Sequence, residues 1–208
     1  MSTLSVDKVE PVGSTLTFGQ SGDTMTIPAG ATFTNNGNAT GFAAGSTHAS
    51  QWRITAGFSG SYNPIISNWA CVVADDPATN TVSPSSTTAL GAPMSVDGST
   101  GFWTFPVTGW WTVAFVTWFL PMGNGNQETG GYINYAGDGS TFVKMSDGNG
   151  PHEASYRFGS YSELLVKVSD VTQEKVSFAF TSPTAASVYG SPSKNQTYAT
   201  FIRIGELA

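Results

Sequence analysis

The chain has 208 residues, of which 39% are hydrophobic, 12% aromatic and only 11% charged, with a formal net charge of −6 at pH 7. An acidic balance without a basic run argues against a nucleic-acid-binding protein, and 13 Phe, 7 Tyr and 6 Trp are too many large apolar groups for a disordered chain. A single cysteine excludes an intrachain disulfide, and one cysteine with two distant histidines cannot build a Cys/His metal site.

Residues 1–45 predict a β-rich stem. Short segments that alternate threonine with apolar residues, such as Thr15–Phe18 and Thr24–Ile27, are separated by glycine-containing turns. Each segment has one narrow apolar face that a single chain cannot bury, so identical chains wrapped on a threefold axis would cover it. The alternative is a flexible leader. The start has no apolar h-region and is not expected to be a secretory signal.

Residues 46–208 predict an all-β head, a jelly-roll β-sandwich. No stretch keeps a helical period, β-branched and aromatic residues dominate, and turn signals such as Asp138-Gly139 and the segment 147–150 separate the apolar runs. This pattern is typical of a Greek-key or jelly-roll sandwich. The predicted strands are residues 51–56, 68–74, 101–105, 110–120, 130–136, 141–144, 155–158, 163–168, 175–181 and 198–204.

The segment Trp110–Leu120 is apolar on both of its alternating faces. As a helix it would span about 16 Å, half of a bilayer core, so no membrane insertion is expected. As a strand, one face can meet the second sheet, and the other needs a neighbouring subunit or, as the intrachain alternative, a loop such as residues 75–92. We therefore predict a homotrimer. The candidate trimer seam is Trp110, Trp118, Leu120, Leu164 and Val166.

The segment Gly101–Trp111 resembles a signature of the complement globular-head family, part of the tumour necrosis factor-like jelly-roll superfamily. That signature reads roughly Gly-x-Phe-Thr-x-Pro-x-x-Gly-x-Tyr. Trp103 and Trp111 stand at its two aromatic positions, and Pro106 and Gly109 bracket its turn. The resemblance implies a ten-stranded jelly roll, usually trimeric, that binds partners rather than doing chemistry.

Later segments follow the order of the same family. Two strands, 163–168 and 175–180, match its Leu-rich and Val-rich strands, and Phe201 lies in the matching final strand. The chain departs from the pattern in a longer turn at 169–174 and in Arg203, where the family usually has glycine. The expected family-motif core is Trp103, Pro106, Gly109, Trp111 and Phe201.

No catalytic residue, cofactor or metal is predicted. His48 and His152 lie in loop segments without a nucleophile motif, and the acids lack the paired arrangement of a glycosidase. Asp138-Gly139 and residues 147–150 lack EF-hand spacing and are expected to be turns, although some relatives of the resembled family bind calcium. Tyrosines near Asn- and Gly-rich loops are candidate ligand-facing residues, with ordinary rim packing as the alternative: Tyr132, Tyr135, Tyr156, Tyr161 and Tyr189.

The layout of a short leader, β-segments and a globular tip is similar to that of bacteriophage fibre and virion-appendage proteins. We expect a non-enzymatic structural protein at the virion surface, either a capsid decoration protein or a short fibre, attached to other virion proteins through residues 1–45. The alternative is a receptor-binding fibre tip that recognises a host surface glycan or protein. A hydrolase of surface polysaccharide is a less favoured third class.

Overall fold

Twelve β-strands make up the part of the chain that the computed structural model describes, which is residues 46–72, 89–120, 128–151, 157–181 and 187–207. The predicted stem lies outside the described residues, as does most of the loop 75–92. Within the described ranges there is no helix, and hence none long and apolar enough to cross a membrane. The strands are β1 Ala49–Ile54, β2 Phe58–Ser59, β3 Trp69–Val72, β4 Ser95–Val96, β5 Trp103–Thr104, β6 Gly109–Leu120, β7 Glu128–Ala136, β8 Val143–Pro151, β9 Phe158–Val168, β10 Lys175–Thr181, β11 Ser187–Val188 and β12 Tyr198–Gly205.

The strands form two antiparallel sheets with the core between them. The first sheet runs β3-β1-β12-β6-β9, and the short pair β2–β11 continues beside the end of β6. The second sheet runs β4-β5-β10-β7-β8. β6 lies at the centre of the first sheet, with β12 along one side and β9 along the other.

Trp103, on β5 of the second sheet, is fully buried at the centre of the core. Its ring meets the rings of Trp52 and Trp69 edge-on, with centroids 5.1 Å apart in each case. Phe201 of β12 lies 5.0 Å away on the same side. All three partners belong to the first sheet, so these contacts hold the two sheets together. Further fully buried aromatic residues are Phe105, Trp111, Phe115, Phe119, Phe178 and Phe180.

The alternation predicted for the segment 110–120 is present in β6. The inward side chains of Trp111, Val113, Phe115 and Phe119 are at most 1% exposed. On the opposite face, the side chains of Trp110 and Trp118 are 38% and 42% exposed. The second face of this strand is therefore only partly covered by the chain itself.

The predicted turn at residues 147–150 is wrong, because these residues lie within β8 and pair with β7. The two glycines that suggested a turn serve close packing instead. A Cβ on Gly148 would collide with the backbone of Tyr161, and one on Gly150 would lie 2.9 Å from the ring of Phe158. β8 can approach β9 at this point because both positions lack a side chain.

Hydroxyl groups fill the inner face of the first half of β9. Ser160 and Ser162 are buried, although serine usually lies on a solvent-facing position. The Oγ of Ser160 lies 2.5 Å from the Oγ1 of Thr117 and accepts a bond from the N–H of Gly131, while the Oγ of Ser162 donates to the carbonyl of Gly131. These bonds satisfy the buried hydroxyls and fix which face of β9 points inward.

Position 109 requires glycine because of its backbone conformation and because neighbouring atoms leave no room for a side chain. Gly109 has a φ of 141°, and a Cβ there would lie 2.5 Å from the carbonyl oxygen of Gly205 and 2.6 Å from the Nε of Arg203. Arg203, at the position where the resembled family usually has glycine, donates from Nε to the carbonyl of Thr108 and from Nη1 to the Oγ1 of Thr47, each at 2.9 Å. The substituted arginine therefore ties the turn before β6 to the start of the head.

Candidate functional site

Six of the ten exposed large hydrophobic residues in the described part lie on the side of the first sheet that faces away from the core, here called the outer face. The register places outward residues of four adjacent strands next to one another, with Ala114 of β6 opposite both Thr200 of β12 and Glu163 of β9. Four strands span about 14 Å, and the twelve residues of β6 about 40 Å. Its side chains are Gln51, Trp110, Thr112, Ala114, Val116, Trp118, Leu120, Tyr161, Glu163, Leu165, Lys167, Tyr198, Thr200, Ile202 and Ile204.

Several large apolar side chains on this face remain substantially exposed to solvent. Leu165 is 57% exposed, Tyr161 55%, Ile204 53% and Ile202 37%. The middle of the face forms an open recess of about 300 Å³, lined by residues that include Ala114, Val116 and Ile202. A contiguous apolar surface of this kind marks an interaction site on a soluble protein.

Few charges interrupt the outer face. Glu163 and Lys167 are the exposed charged side chains that the described strands place on it, and they lie about 13 Å apart along β9, too far for an ion pair. Arg53 of β1, opposite Tyr198, is on the same side of the sheet, but its side chain is buried and donates to the carbonyl of Pro192. The carboxylate of Glu163 accepts a hydrogen bond of 2.7 Å from the hydroxyl of Tyr161. This bond, followed by burial and the negative charge of Glu163, raises the pKa of Tyr161.

The structure separates the predicted seam residues into two groups. Trp110, Trp118 and Leu120 point to the outer face. Val166 is 4% exposed and belongs to the core, and Leu164 is half-buried against that core. Ser160 and Ser162 point inward, and residues of a strand alternate between its two faces. Leu165, rather than Leu164 or Val166, therefore lies on the outer face.

The outer face also contains residues that sequence reasoning missed. Ile202 and Ile204 alternate with the buried Phe201 and Arg203 along β12. The alternation was visible in the sequence once Phe201 was placed in the core. Leu165 gave no such signal, since Leu164 and Leu165 are adjacent and either could have been the inward one.

The predicted ligand-facing tyrosines do not come together at one site. Tyr132 and Tyr135 lie within β7, where the Nζ of Lys144 sits 5.3 Å from the Tyr132 ring and the Tyr135 hydroxyl donates to Glu174. Tyr161 lies on the outer face, and Tyr189 follows β11 with Arg157 5.3 Å from its ring. Tyr156 lies outside the described residues.

The residues predicted as the family-motif core lie between the two sheets or at the turn before β6. Trp103, Trp111 and Phe201 are at most 1% exposed, and Pro106 and Gly109 lie at the turn that leads into β6. These residues build the sandwich and are not exposed for binding.

The described residues carry little that could do chemistry. Burial, and then the charge of Arg203, lower the pKa of His48, whose Nδ1 lies 3.0 Å from the Oγ1 of Thr47, and His152 lies outside the described residues. Burial raises the pKa of the Cys71 thiol, which disfavours the nucleophilic thiolate. Within the ranges described, no three His, Cys, Asp or Glu side chains are grouped to hold a metal.

Asp138 acts as a turn acceptor, as expected for this Asp-Gly pair. Its Oδ1 accepts bonds from the backbone N–H groups of Ser140 and Thr141, at 2.9 and 2.6 Å. Hydrogen bonds from Thr141, first from its side chain and then from its backbone, and from Ser140 lower the pKa of Asp138 to about 2. The carboxylate oxygen is thus engaged in shaping the loop between β7 and β8.

Comparison with solved structures identifies the fold. The structure of Eiger TNF from S. frugiperda matches with a TM-score of 0.55 at 10% identity, over 77% of this chain and 94% of that chain. Murine APRIL at pH 5.0 and at pH 8.5 matches with TM-scores of 0.53 and 0.51 at 12% identity, over 76% of this chain and 98% of that chain. At these identities the likeness shows the fold alone, and it confirms the predicted TNF-like jelly roll. No family model matches the chain, and no curated protein sequence matches it.

Proposed function

We propose that this chain is a non-catalytic structural head that assembles into a homotrimer through its outer face. The observation that carries the proposal is the exposure of Trp110, Trp118, Tyr161, Leu165 and Ile202 on one continuous sheet surface. Each of these side chains is about half-covered, so covering the remainder with another copy would contribute roughly 1 kcal/mol apiece. We infer that the occupant is a second copy of the chain, because the segment 101–111 resembles a family whose jelly-roll heads associate with one another.

The choice of three copies rests on the family resemblance. The segment 101–111 resembles a family whose heads are usually trimeric, and the jelly-roll fold supports that resemblance. A closed ring of three lets each copy present the same surface about one axis, which is a common symmetry for homo-oligomers.

The mass of the full chain in solution tests this assembly. We expect light scattering after size exclusion to give about 65 kDa at micromolar concentration, three times the chain mass of 21.8 kDa. A stable species of one chain mass would contradict self-association through the outer face. A species of two chain masses would contradict the threefold arrangement.

We place this trimer on a virion surface as a capsid decoration protein or a short fibre. Support for this placement comes from the sequence layout, in which residues 1–45 alternate threonine with apolar residues ahead of the head and would attach it to other virion proteins. A receptor-binding fibre tip is the competing function, in which the head itself contacts a host glycan or protein.

Two binding measurements separate these roles. A decoration protein is expected to bind isolated capsids that lack it and not host cells, and deletion of residues 1–45 is expected to abolish capsid binding. Binding of the truncated head to capsids would contradict attachment through residues 1–45. Binding to host cells without binding to capsids would favour the fibre tip.

A further inference from the structure

Glu163 is a carboxylate on an otherwise apolar part of the outer face. It lies opposite Ala114 across the β6–β9 ladder and lines the central recess together with Val116 and Ile202. In the free chain Glu163 is exposed to solvent, so its charge is hydrated. A second copy that covers the recess would remove this water and disfavour the ionised form.

The groups around Glu163 do not supply a countercharge. On β9, Tyr161 donates one hydrogen bond, and Lys167 lies about 13 Å away along the strand. The adjacent stretches of β6 and β12 contribute uncharged residues and the weak acid Tyr198. β1 contributes Arg53, which is three ladders or about 14 Å from β9 and donates to the carbonyl of Pro192. On β8, the nearby Lys144 is already paired with Asp147 at 2.7 Å, and the Oγ of Ser146 accepts the backbone N–H of Glu163.

We propose that self-association through the outer face is coupled to protonation of Glu163, which makes the oligomer a pH-dependent assembly. The proposal rests on the function proposed above, because it needs a second copy to cover the recess. A neutral carboxyl keeps the hydrogen bond with Tyr161 and leaves no unpaired charge in the interface. The assembled state therefore binds more protons than the separate chains.

The sign of the pH dependence follows from this difference in bound protons. Whenever the assembled state binds more protons, its association constant falls as the pH rises. Assembly should therefore be tighter near pH 5.5 than at pH 8. When a carboxyl moves from water into a largely apolar setting, a difference of about tenfold in the association constant per chain between pH 5.5 and pH 8 is of ordinary size.

The test is the dissociation constant of the full chain, measured by analytical ultracentrifugation at pH 5.5, 6.5 and 8. The wild-type constant is expected to rise at least about tenfold from pH 5.5 to pH 8. The substitution Glu163→Gln keeps the shape and removes the titration, so this variant should assemble at pH 8 as tightly as the wild type does at pH 5.5. A pH response of Glu163→Gln equal to that of the wild type would overturn the proposal.

A matched control is needed because the sequence pI is near 4.6, and loss of net charge on acidification promotes association by itself. Asp97→Asn removes the same single charge from the turn after β4, at the edge of the other sheet away from β8, and its amide oxygen can still accept the turn bonds from Ser99 and Thr100. This variant should keep the wild-type pH response, and loss of the response in Asp97→Asn as well would overturn the assignment to Glu163. Equal trimer affinity at all three pH values would overturn this inference alone, whereas a monomer at every pH would also overturn the proposed trimer.

Discussion

Replacing Ile202 with aspartate is expected to dissociate the assembly into single chains. Ile202 lies at the middle of the outer face, opposite Thr112 of β6 and Ala49 of β1, and 37% of its side chain is exposed before any partner covers it. The variant would bring one unpaired carboxylate per chain into an apolar interface, at a cost of several kcal/mol for each. We expect the dissociation constant to rise at least about thousandfold, which corresponds to about 4 kcal/mol.

The matched control for this change is Ile66→Asp. Ile66 is also a surface isoleucine, 41% exposed, but it lies outside the outer face, just before the turn that leads into β3. Its substitution should leave the mass of the assembly unchanged. Light scattering checks both variants, and circular dichroism checks that both keep their β-structure.

The masses of the two variants show whether the outer face is the contact between copies. Dissociation of Ile202→Asp alone supports the outer face as the contact between copies. Assembly of Ile202→Asp with wild-type affinity would contradict that assignment, and equal dissociation of both variants would show that the effect is not specific to the outer face. The substituted side chain points away from the core, so loss of folding is not expected to explain a positive result.

Truncation of Trp103 to alanine is expected to produce the largest loss of stability. The side chain is 0% exposed and contacts aromatic rings from three strands of the opposite sheet. Removing it loses the transfer free energy of the indole and leaves a cavity beside the rings of Trp52 and Trp69. Trp→Ala changes at such sites reduce the free energy of unfolding by about 3–5 kcal/mol.

Urea denaturation at one fixed protein concentration measures this loss, because assembly also contributes to the apparent stability. Trp103→Phe is the control, since it keeps an aromatic ring, and the Nε1 of Trp103 has no hydrogen-bond partner in the described part of the chain. We expect this variant to lose less than half as much as the alanine variant. A loss below about 1 kcal/mol for Trp103→Ala would contradict its place at the centre of the core.

Segments whose pattern and family resemblance agree were predictable from the sequence. In β6 the spacing of Trp111, Val113 and Phe115 fixed the inward face without reference to other strands. The segment around Gly109 matched a known turn, and the jelly roll followed from it. The packing of Trp103 and Phe201 then follows from the order of the strands.

Segments in which small residues have two possible roles were not predictable. Gly148 and Gly150 suggest a turn in isolation, but here they allow β8 to approach the backbone of Tyr161 and the ring of Phe158. Ser160 and Ser162 fall between the predicted strands 155–158 and 163–168, but they are buried within β9 and bonded to Thr117 and Gly131. Both outcomes depend on neighbours distant in sequence, and without them Leu164 and Val166 were placed in the expected seam.

The position of β1 between β3 and β12 has a mechanical consequence. Ala49 begins β1 and lies opposite Ile202, near the end of β12. A pull along β1 from its amino-terminal side would therefore shear the ladders on both sides of this strand together, instead of breaking their hydrogen bonds one at a time. Arg203 adds a side-chain tether to Thr47 at the same point. Under the attachment through residues 1–45 that we propose, a tensile load would reach the head through these ladders and this tether.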